Sequence, residues 1–281
     1  MASFKDMKKN RMANLESLSK QVEKLAEKPS YEDERIWKLE RDKSGNGYAV
    51  IRFLPASDGE DVPWVRIWTH GFKGPGGWYI ENSLTTLGKD DPVSKANTAL
   101  WNSGIDSDKN IARERRRKLN YYSNIYIVED SMNPDNVGKV FLFRYGKKIF
   151  EKITGVMNPE FADETPLNPF DLWEGSNFKM KMRQIDGFPN YDKSEFTDKC
   201  PLTDDEKKLE EIWKQQYSLN EIVEEKNFKN YAELEARFNT VIAHKGDEFV
   251  GNIEESTSEP VASGEKTDDT LDYFKKLAEQ E

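Results

Sequence analysis

The chain has 281 residues, of which 36% are hydrophobic and 12% aromatic, so it can bury a core as one large domain or two small ones. Its formal net charge is −10 and 33% of its residues are charged, which predicts polar segments beside that core. Cys200 is the only cysteine, and His70 and His244 are the only histidines, which excludes an internal disulfide and a four-ligand zinc site made of cysteine and histidine.

The sequence contains no motif that predicts an enzyme. It has no G-x-S-x-G nucleophile turn, no G-x-x-x-x-G-K-[ST] phosphate loop and no H-E-x-x-H metal motif. No apolar run approaches the roughly 18 residues of a membrane span, and the first residues lack the apolar region of a signal peptide. The expectation is an intracellular, non-enzymatic protein that makes no contact with a membrane.

The pattern of residues 1–30 predicts a basic amphipathic arm. Its cations are Lys5, Lys8, Lys9 and Arg11. They precede apolar residues at helical spacing, namely Leu15, Leu18, Val22 and Leu25. Such a helix can pack on its own domain or dock on another molecule, and the linker-like Lys28-Pro29-Ser30 beyond it favours docking.

Residues 37–185 show short strand patterns separated by Gly, Pro, Asn and Asp. The clearest are residues 48–54, 64–70, 122–129, 139–145 and 178–185. In the last of them, an apolar residue alternates with a basic one, so one face is apolar and the other carries Lys179, Lys181 and Arg183. These strands predict a small β-barrel.

A helical layer is expected after the strands. Thr203 with Glu206 predicts a capping box at the start of a helix that carries Leu209 and Ile212. A second helix is predicted from the apolar stripe Leu234, Phe238, Val241 and Ile242, and both stripes are expected to pack on the core. The predicted domains are the arm at 1–30, a core at 31–245 and a tail at 246–281.

The tail holds most of the negative charge. After Gly246 there are eleven carboxylates and three lysines, which contribute −8 of the net −10 and leave the rest of the chain nearly neutral. Near its end, Leu271, Phe274 and Leu277 recur at helical spacing in a segment too short to fold alone. This pattern predicts a helix that orders on binding a partner, with packing on the protein's own core as the alternative.

Cations and aromatic rings alternate repeatedly in the nearly neutral body, which suits a single nucleic-acid strand because phosphates need cations and unpaired bases stack on flat rings. The densest cluster has five basic residues within six positions, just before Tyr121 and Tyr122. The predicted phosphate contacts are Arg113, Arg115, Arg116, Arg117, Lys118, Arg144, Lys147, Lys148, Lys181 and Arg183.

Each of these assignments has a structural alternative. Residues 113–118 can instead form a solvated helix face. Phe143 and Tyr145 point to the same side of one predicted strand, so at least one of them can belong to the core. Trp78, Tyr121 and Tyr191 have glycine, charged or asparagine neighbours and are expected to be exposed for stacking.

Several segments between residues 36 and 243 resemble a known family, the T4-type bacteriophage single-stranded DNA-binding proteins, also called helix-destabilising proteins. They include WKLERDKSGNGYAVIRFLP, HGFKGPGGWYIE, NYYSNIYIVED, VGKVFLFRYGKKIFEKI and LWEGSNFKMKMRQIDGFPNYDKSEF. The resemblance implies an α+β protein with an OB-fold barrel core, an arm that binds the neighbouring subunit on DNA, and an acidic tail that contacts replication proteins. It places the stacking rings at Trp101, Tyr121, Phe143, Phe188 and Tyr191, with Trp78 and Tyr122 as further candidates.

The sequence departs from this family at two places. The best-known members bind structural zinc through one His and three Cys; the histidine corresponds to His70, but Ser83, Asp91 and Ser94 stand at the cysteine positions. No zinc or other cofactor is therefore expected, and the loop from Ser83 to Trp101 must be held by packing and hydrogen bonds. The arm also has a looser basic pattern than the family's compact run.

The resemblance leads to the hypothesis of a cooperative, sequence-independent single-stranded DNA-binding protein of phage replication, recombination and repair, acting in the host cytoplasm. Its expected partners are DNA, further copies of itself, and a polymerase, helicase loader, primase and recombination mediator that bind the tail. A single-stranded RNA-binding regulator is the first alternative. A metal-dependent nuclease that uses Asp90 and Asp91 is the second.

Overall fold

The computed structural model describes residues 33–161, 163–185 and 187–243. The predicted arm and tail residues lie outside these ranges, so their assignments stay predictions; they are Lys5, Lys8, Lys9, Arg11, Leu271, Phe274 and Leu277. The domain boundaries near residues 30 and 246 stay predictions for the same reason. Among the described residues, no helix combines the length and the apolar character needed to cross a membrane.

The described part of the chain is an α+β protein built on one large mixed sheet. Its strands are β1 (Ile36–Trp37), β2 (Gly47–Phe53), β3 (Val65–Gly74), β4 (Gly77–Asn82), β5 (Lys118–Asp130), β6 (Val140–Gly146), β7 (Ser176–Ile185), β8 (Phe188–Asn190) and β9 (Glu195–Lys199). The main path runs β1-β6-β5-β2-β7-β8, while β3 joins β5 to β4 and β9 pairs with β7. The long strand β5 is central because β2, β3 and β6 all pair with it.

The five predicted strands are confirmed as β2, β3, β5, β6 and β7, and four strands were not predicted, namely β1, β4, β8 and β9. The alternation along β7 buries Phe178, Met180 and Met182 and leaves the basic residues toward solvent, as expected. Strand β4 was not predicted, although it forms a hairpin with β3 in which Gly74 pairs with Gly77. Its short sequence GWYIEN, next to glycines, carries too weak an alternation to predict a strand.

The helices are α1 (Pro92–Asn102), α2 (Asp106–Glu114), α3 (Lys147–Met157), α4 (Glu206–Lys214) and α5 (Tyr231–Ile242). Helices α4 and α5 were predicted, but the cap of α4 was assigned wrongly. Asp205 is the N-cap, because its carboxylate accepts from the backbone N–H groups of Lys207 and Lys208. The segment after Ser83 is also not a loop, since Asp91 caps α1 and Pro92 occupies its first turn.

The buried apolar residues form separate clusters. The first lies between β2, β5, β6, β7 and α3 and contains Phe53, Ile125 and Phe178. The second joins the β3–β4 hairpin to α5 through Phe72, Tyr79 and Phe238. The predicted apolar stripe of α5 is thus confirmed as core packing, since Leu234, Phe238 and Val241 are buried there. The second cluster supports the surface described next.

Candidate nucleic-acid interface

The basic run lies at a junction between a helix and a strand. Helix α2 ends at Glu114 and strand β5 begins at Lys118, so Arg116 and Arg117 belong to neither element. The alternative of a solvated helix face is therefore wrong for most of the run. At such a junction, successive side chains point in different directions. They can therefore line two neighbouring grooves.

The first groove, here called the helix-side groove, has a volume of about 700 Å³ and runs between α1 and the basic run. Arg113, Arg116 and Arg117 line it together with Trp101, whose ring is 50% exposed. The guanidinium carbon of Arg113 lies 5.4 Å from the Trp101 ring centroid, within the range of a cation–π contact. The groove thus offers one open aromatic face beside three cations.

The second groove, here called the sheet-side groove, has a volume of about 450 Å³ and crosses β3, β4, β5 and β6. Trp78 and Ile80 of β4 are 59% and 66% exposed there. Lys118 and Arg144 also line the groove, because the strand register pairs Lys118 with Thr69 and Arg144 with Tyr122. His70 contributes to both grooves, which places them side by side.

The cations of the two grooves have no carboxylate partner in the described part of the chain. Among the described residues, these side chains form no salt bridge: Arg113, Arg116, Arg117, Lys118 and Arg144. Other predicted phosphate contacts already have carboxylate partners: Lys147 with Glu151 at 3.3 Å, Lys148 with Asp192 at 3.7 Å and Lys181 with Glu195 at 2.6 Å. Arg183 is exposed on β7, away from both grooves.

Tyr121 is not exposed, contrary to the prediction. Its ring is 6% accessible and stacks on Phe150 with a centroid distance of 3.9 Å, while Tyr145 stacks on it at 5.7 Å. The Tyr121 ring therefore contacts two other rings of the core. Its position explains the burial, because β5 turns its odd-numbered side chains toward the first cluster.

Tyr122 and Phe143 are also buried, at 7% and 5% accessibility, so the expectation of exposed stacking rings fails for them as well. Phe143 packs edge-on against Trp37 at 5.5 Å, and Tyr145 on the same side of β6 is equally buried. Phe143 and Tyr145 therefore both belong to the core, whereas the sequence pattern required this of only one of them. Burial raises the pKa of the Tyr122 hydroxyl.

Phe188 and Tyr191 lie at and beyond the short strand β8. Phe188 is 74% exposed, as a stacking ring requires, whereas Tyr191 is half-buried and packs against the first cluster. The contact of Lys148 with Asp192 brings this segment next to the start of α3. Since Gly146 pairs with Asn120 of the sheet-side groove, α3 begins at the rim of that groove.

Two residues of the surface were missed by the sequence reasoning. Ile80 is the most exposed residue of β4, and its alternation with the buried Tyr79 is the signal that could have identified it. The ring of Trp68 is covered by the guanidinium of Arg117, with the carbon 4.3 Å from the centroid. No pattern in the sequence relates Trp68 to Arg117, because they are brought together only by the pairing of β3 with β5.

Arg115 differs from the other arginines of the run. It is half-buried, and its guanidinium carbon lies 5.7 Å from the ring centroids of both Phe72 and Phe238. Its backbone carbonyl oxygen accepts a hydrogen bond from His70 Nδ1 at 2.9 Å. These contacts direct Arg115 into the second cluster, and it lines neither groove, so the grooves give no support to its assignment as a phosphate contact.

A buried polar network joins His70, Ser83, Asp91 and Ser94, the positions at which the sequence resemblance places the zinc ligands. His70 Nε2 lies 3.2 Å from Asp91 Oδ1, and both side chains are almost fully buried. Ser83 Oγ donates to Asp91 Oδ2 at 3.0 Å, and the backbone N–H of Ser94 donates to Asp91 Oδ1 at 2.9 Å. Burial by itself raises the pKa of Asp91, but these hydrogen bonds outweigh burial and lower that pKa to about 2.

The donor set of this network does not fit zinc. Structural zinc sites use four cysteine or histidine ligands, whereas this site has one imidazole, one carboxylate and two hydroxyls. Both carboxylate oxygens of Asp91 already accept hydrogen bonds. Within the described ranges, no group of three or more His, Cys, Asp or Glu side chains could hold a metal ion. The absence of zinc from the protein stays a prediction for metal analysis.

Comparison with known proteins identifies the family. Residues 45–242 match the family model described as "gp32 DNA binding protein like". The chain is 37% identical over 263 residues to the single-stranded DNA-binding protein of Enterobacteria phage T2, covering 92% of this chain and 85% of that protein. It is 37% identical over 248 residues to the protein of the same name from Enterobacteria phage T4, covering 87% and 80%.

A shorter relative is the single-stranded DNA-binding protein of Enterobacteria phage RB70, 39% identical over 108 residues that cover 37% of this chain and 92% of that protein. These matches confirm the resemblance drawn from the sequence segments. Since the family model spans more than half of the chain, the chain belongs to the gp32-like family of DNA-binding proteins.

Proposed function

We propose that the protein binds single-stranded DNA cooperatively and without sequence preference, and that it coats and protects single strands in phage DNA replication, recombination and repair. The single observation that carries this proposal is the pair of adjacent grooves, in which cations without a salt-bridge partner among the described residues lie beside exposed rings. Cations that follow phosphates and rings that accept stacked bases are the two requirements of sequence-independent strand binding. We also propose that the strands around the first cluster form an OB-fold barrel.

The proposed mechanism is passive. A protein that binds single strands but not duplex shifts the melting equilibrium toward open strands by mass action, so it needs no nucleotide fuel. This fits a non-enzymatic protein. The burial of Asp91 supports this proposal over the nuclease alternative, because its carboxylate is 2% exposed and engaged with His70 and Ser83.

Two terminal segments complete the proposal. The basic arm, residues 1–30, would bind the neighbouring copy on DNA and so produce cooperativity. The acidic tail, residues 246–281, would recruit a polymerase, a helicase loader, a primase and a recombination mediator in the host cytoplasm through Leu271, Phe274 and Leu277. The unequal charge of arm, body and tail supports this division of roles.

The test compares two charge-matched double variants. Arg116→Gln with Arg117→Gln removes two groove cations, and Lys207→Gln with Lys208→Gln removes two exposed cations of α4 outside the grooves. We expect the first pair to flatten the dependence of log K on log salt by about 1.4, since one phosphate contact on a single strand contributes about 0.7. The α4 pair should leave the slope unchanged.

The binding titrations use DNA and RNA strands of matched sequence and length. Clear preference for DNA supports the proposal, whereas preference for RNA would replace it with the regulator hypothesis. An unchanged salt slope in the Arg116 and Arg117 variant would show that the grooves are not the binding surface.

A further inference from the structure

Arg115 is held by two contacts, whereas Arg113 and Arg116 extend into the helix-side groove. Its carbonyl oxygen accepts from His70 Nδ1 at 2.9 Å, and its guanidinium lies over Phe72 and Phe238. Arg113 and Arg116, on either side, line the groove and are exposed. Arg113, Arg115 and Arg116 lie within four consecutive residues. The position of the Arg115 peptide therefore determines where the side chains of Arg113 and Arg116 can reach.

The imidazole that holds this peptide is itself held from the opposite side. Asp91 lies 3.2 Å from His70 Nε2 and is the N-cap of α1, where it also accepts from the Ser94 N–H. Ser83 donates to the second oxygen of the same carboxylate. The network therefore connects strand β3, the segment before α1, helix α1 and the basic run.

Hydrogen-bond direction shows how His70 holds this peptide. The Arg115 carbonyl can only accept, so His70 Nδ1 carries a hydrogen and donates it to that oxygen. On the other side of the ring, Nε2 lies 3.2 Å from Asp91 Oδ1 and 3.4 Å from Ser94 Oγ. A buried ring that is held from both sides keeps a defined orientation, so the imidazole fixes the Arg115 peptide relative to Asp91 and α1.

We infer that Asp91 and His70 are positioning residues for DNA binding. They hold the Arg115 peptide so that Arg113, Arg116 and Arg117 point into the helix-side groove. Arg115 is accordingly an anchor of the second cluster and contacts no phosphate. This inference rests on the proposed function, since the quantity that the network improves is affinity for a single strand.

A double-mutant cycle on the full-length protein tests the positioning role. Asp91→Asn keeps the shape of the side chain but removes its charge, and Arg116→Gln removes one groove cation. If Asp91 acts by positioning Arg116, the two substitutions should not have independent effects on affinity. The factor by which Asp91→Asn weakens oligonucleotide binding should be about threefold to tenfold smaller in the Arg116→Gln background than in the wild type. The matched control is Arg144→Gln, because strand β6 positions the Arg144 side chain. In this second cycle, with Asp91→Asn and Arg144→Gln, the fold-changes in affinity caused by the two single substitutions should multiply.

The salt dependence of Arg115→Gln gives a second test that does not need the Asp91 variant to fold. Arg115→Gln should lower the Tm and leave the salt slope as in the wild type, whereas Arg116→Gln should flatten the slope by about 0.7 and leave the Tm unchanged. The inference would be overturned if Asp91→Asn and the second substitution had independent effects on affinity in both cycles. It would also be overturned if Arg115→Gln flattened the salt slope as much as Arg116→Gln does. Failure of the proposed function would look different, because the wild type would then not bind single strands at all.

Discussion

At the scale of single residues, burial divides the aromatic side chains into two groups that their sequence neighbours do not distinguish. Trp78, Trp101 and Phe188 present most or half of their surface to solvent. Tyr121 lies next to a run of arginines but is buried and stacks with two rings of the core. A base cannot stack on a covered face, so among the predicted stacking residues Trp78, Trp101 and Phe188 can act as platforms in the described structure and Tyr121 cannot.

This division predicts opposite outcomes for two kinds of substitution. Trp78→Ala and Trp101→Ala should each weaken binding to a short strand by about 1–3 kcal/mol, the usual loss for one base–aromatic stack, with little change in stability. Tyr121→Ala should lower the free energy of unfolding by about 3 kcal/mol, because it leaves a cavity between packed rings. Denaturant unfolding and oligonucleotide titration measure the two quantities.

Phe141→Ala is a useful control, since this half-buried residue packs on the same cluster without lining either groove. It should affect stability and not affinity. A Trp101→Ala variant that unfolds more easily yet binds normally would contradict the assignment of Trp101.

The polar network around His70 predicts that the purified protein contains no stoichiometric zinc. One imidazole and one carboxylate, with hydroxyls at the other positions, supply too few strong ligands. Elemental analysis checks this directly. Treatment with a chelator should leave the Tm unchanged, and one zinc per chain or a lower Tm after chelation would contradict the prediction.

At the scale of elements, the β3–β4 hairpin depends on close contact with α5. The backbone N–H of Gly76 donates to the Val241 carbonyl oxygen at 2.9 Å. A Cβ atom on Gly76 would lie 2.0 Å from the Thr240 carbonyl oxygen, and one on Gly74 would lie 2.3 Å from that of Val241. Only glycine lets the hairpin turn approach the end of the helix, and this approach places Trp78 and Ile80 at the groove.

Substitution of one glycine by alanine should therefore destabilise the protein at the hairpin. Gly76→Ala should lower the free energy of unfolding by about 3 kcal/mol or more, because neither backbone segment can yield to the added methyl group. Gly155→Ala is the matched control: it lies exposed in α3 with open space around it, so it should stabilise by about 0.5–1 kcal/mol. Thermal or denaturant unfolding compares them, and equal effects would contradict the close-contact argument.

At the scale of the whole molecule, the charge is divided between the body and the tail. Residues after Gly246 carry eleven carboxylates and three lysines, whereas the body presents the groove cations. The tail should therefore compete with phosphates for those cations. The net charge of −10 describes neither part.

Deleting residues 247–281 should tighten single-strand binding at low salt. The difference from the full chain should largely disappear near 1 M salt, where the Debye length is about 3 Å. Binding titrations across a salt series measure the effect, with a neutral peptide of equal length in place of the tail as the control. Weaker binding of the truncated chain at low salt would contradict the competition model.

Deleting residues 1–28 should separate affinity from cooperativity. Affinity for an oligonucleotide that holds one protein should stay close to that of the full chain, while tight packing on long strands should be lost, because cooperativity is a contact between copies. Titrations of short and long strands at one salt concentration compare the two. Equal losses on both would mean that the arm takes part in the DNA groove.

Local patterns were sufficient to predict several elements and part of the candidate site. Alternation identified β7 with its basic face, and helical spacing identified the buried stripe of α5. The cluster of bases before β5 led to the helix-side groove. The cap of α4 was missed because Thr203 and Asp205 are both good capping residues, and only the backbone geometry selects Asp205.

The sequence by itself determined the family, the α+β class and the kinds of side chain that a strand-binding surface needs, because segment similarity, periodicity and composition are properties of the chain alone. Only the tertiary structure decided which of those side chains are exposed. The pairing of β5 with β3 and β6 buried Tyr121 and Phe143 and brought Lys118 and Arg144 to one groove. The link between His70, Asp91 and Arg115 has the same origin, since hydrogen bonds between distant segments leave no local pattern.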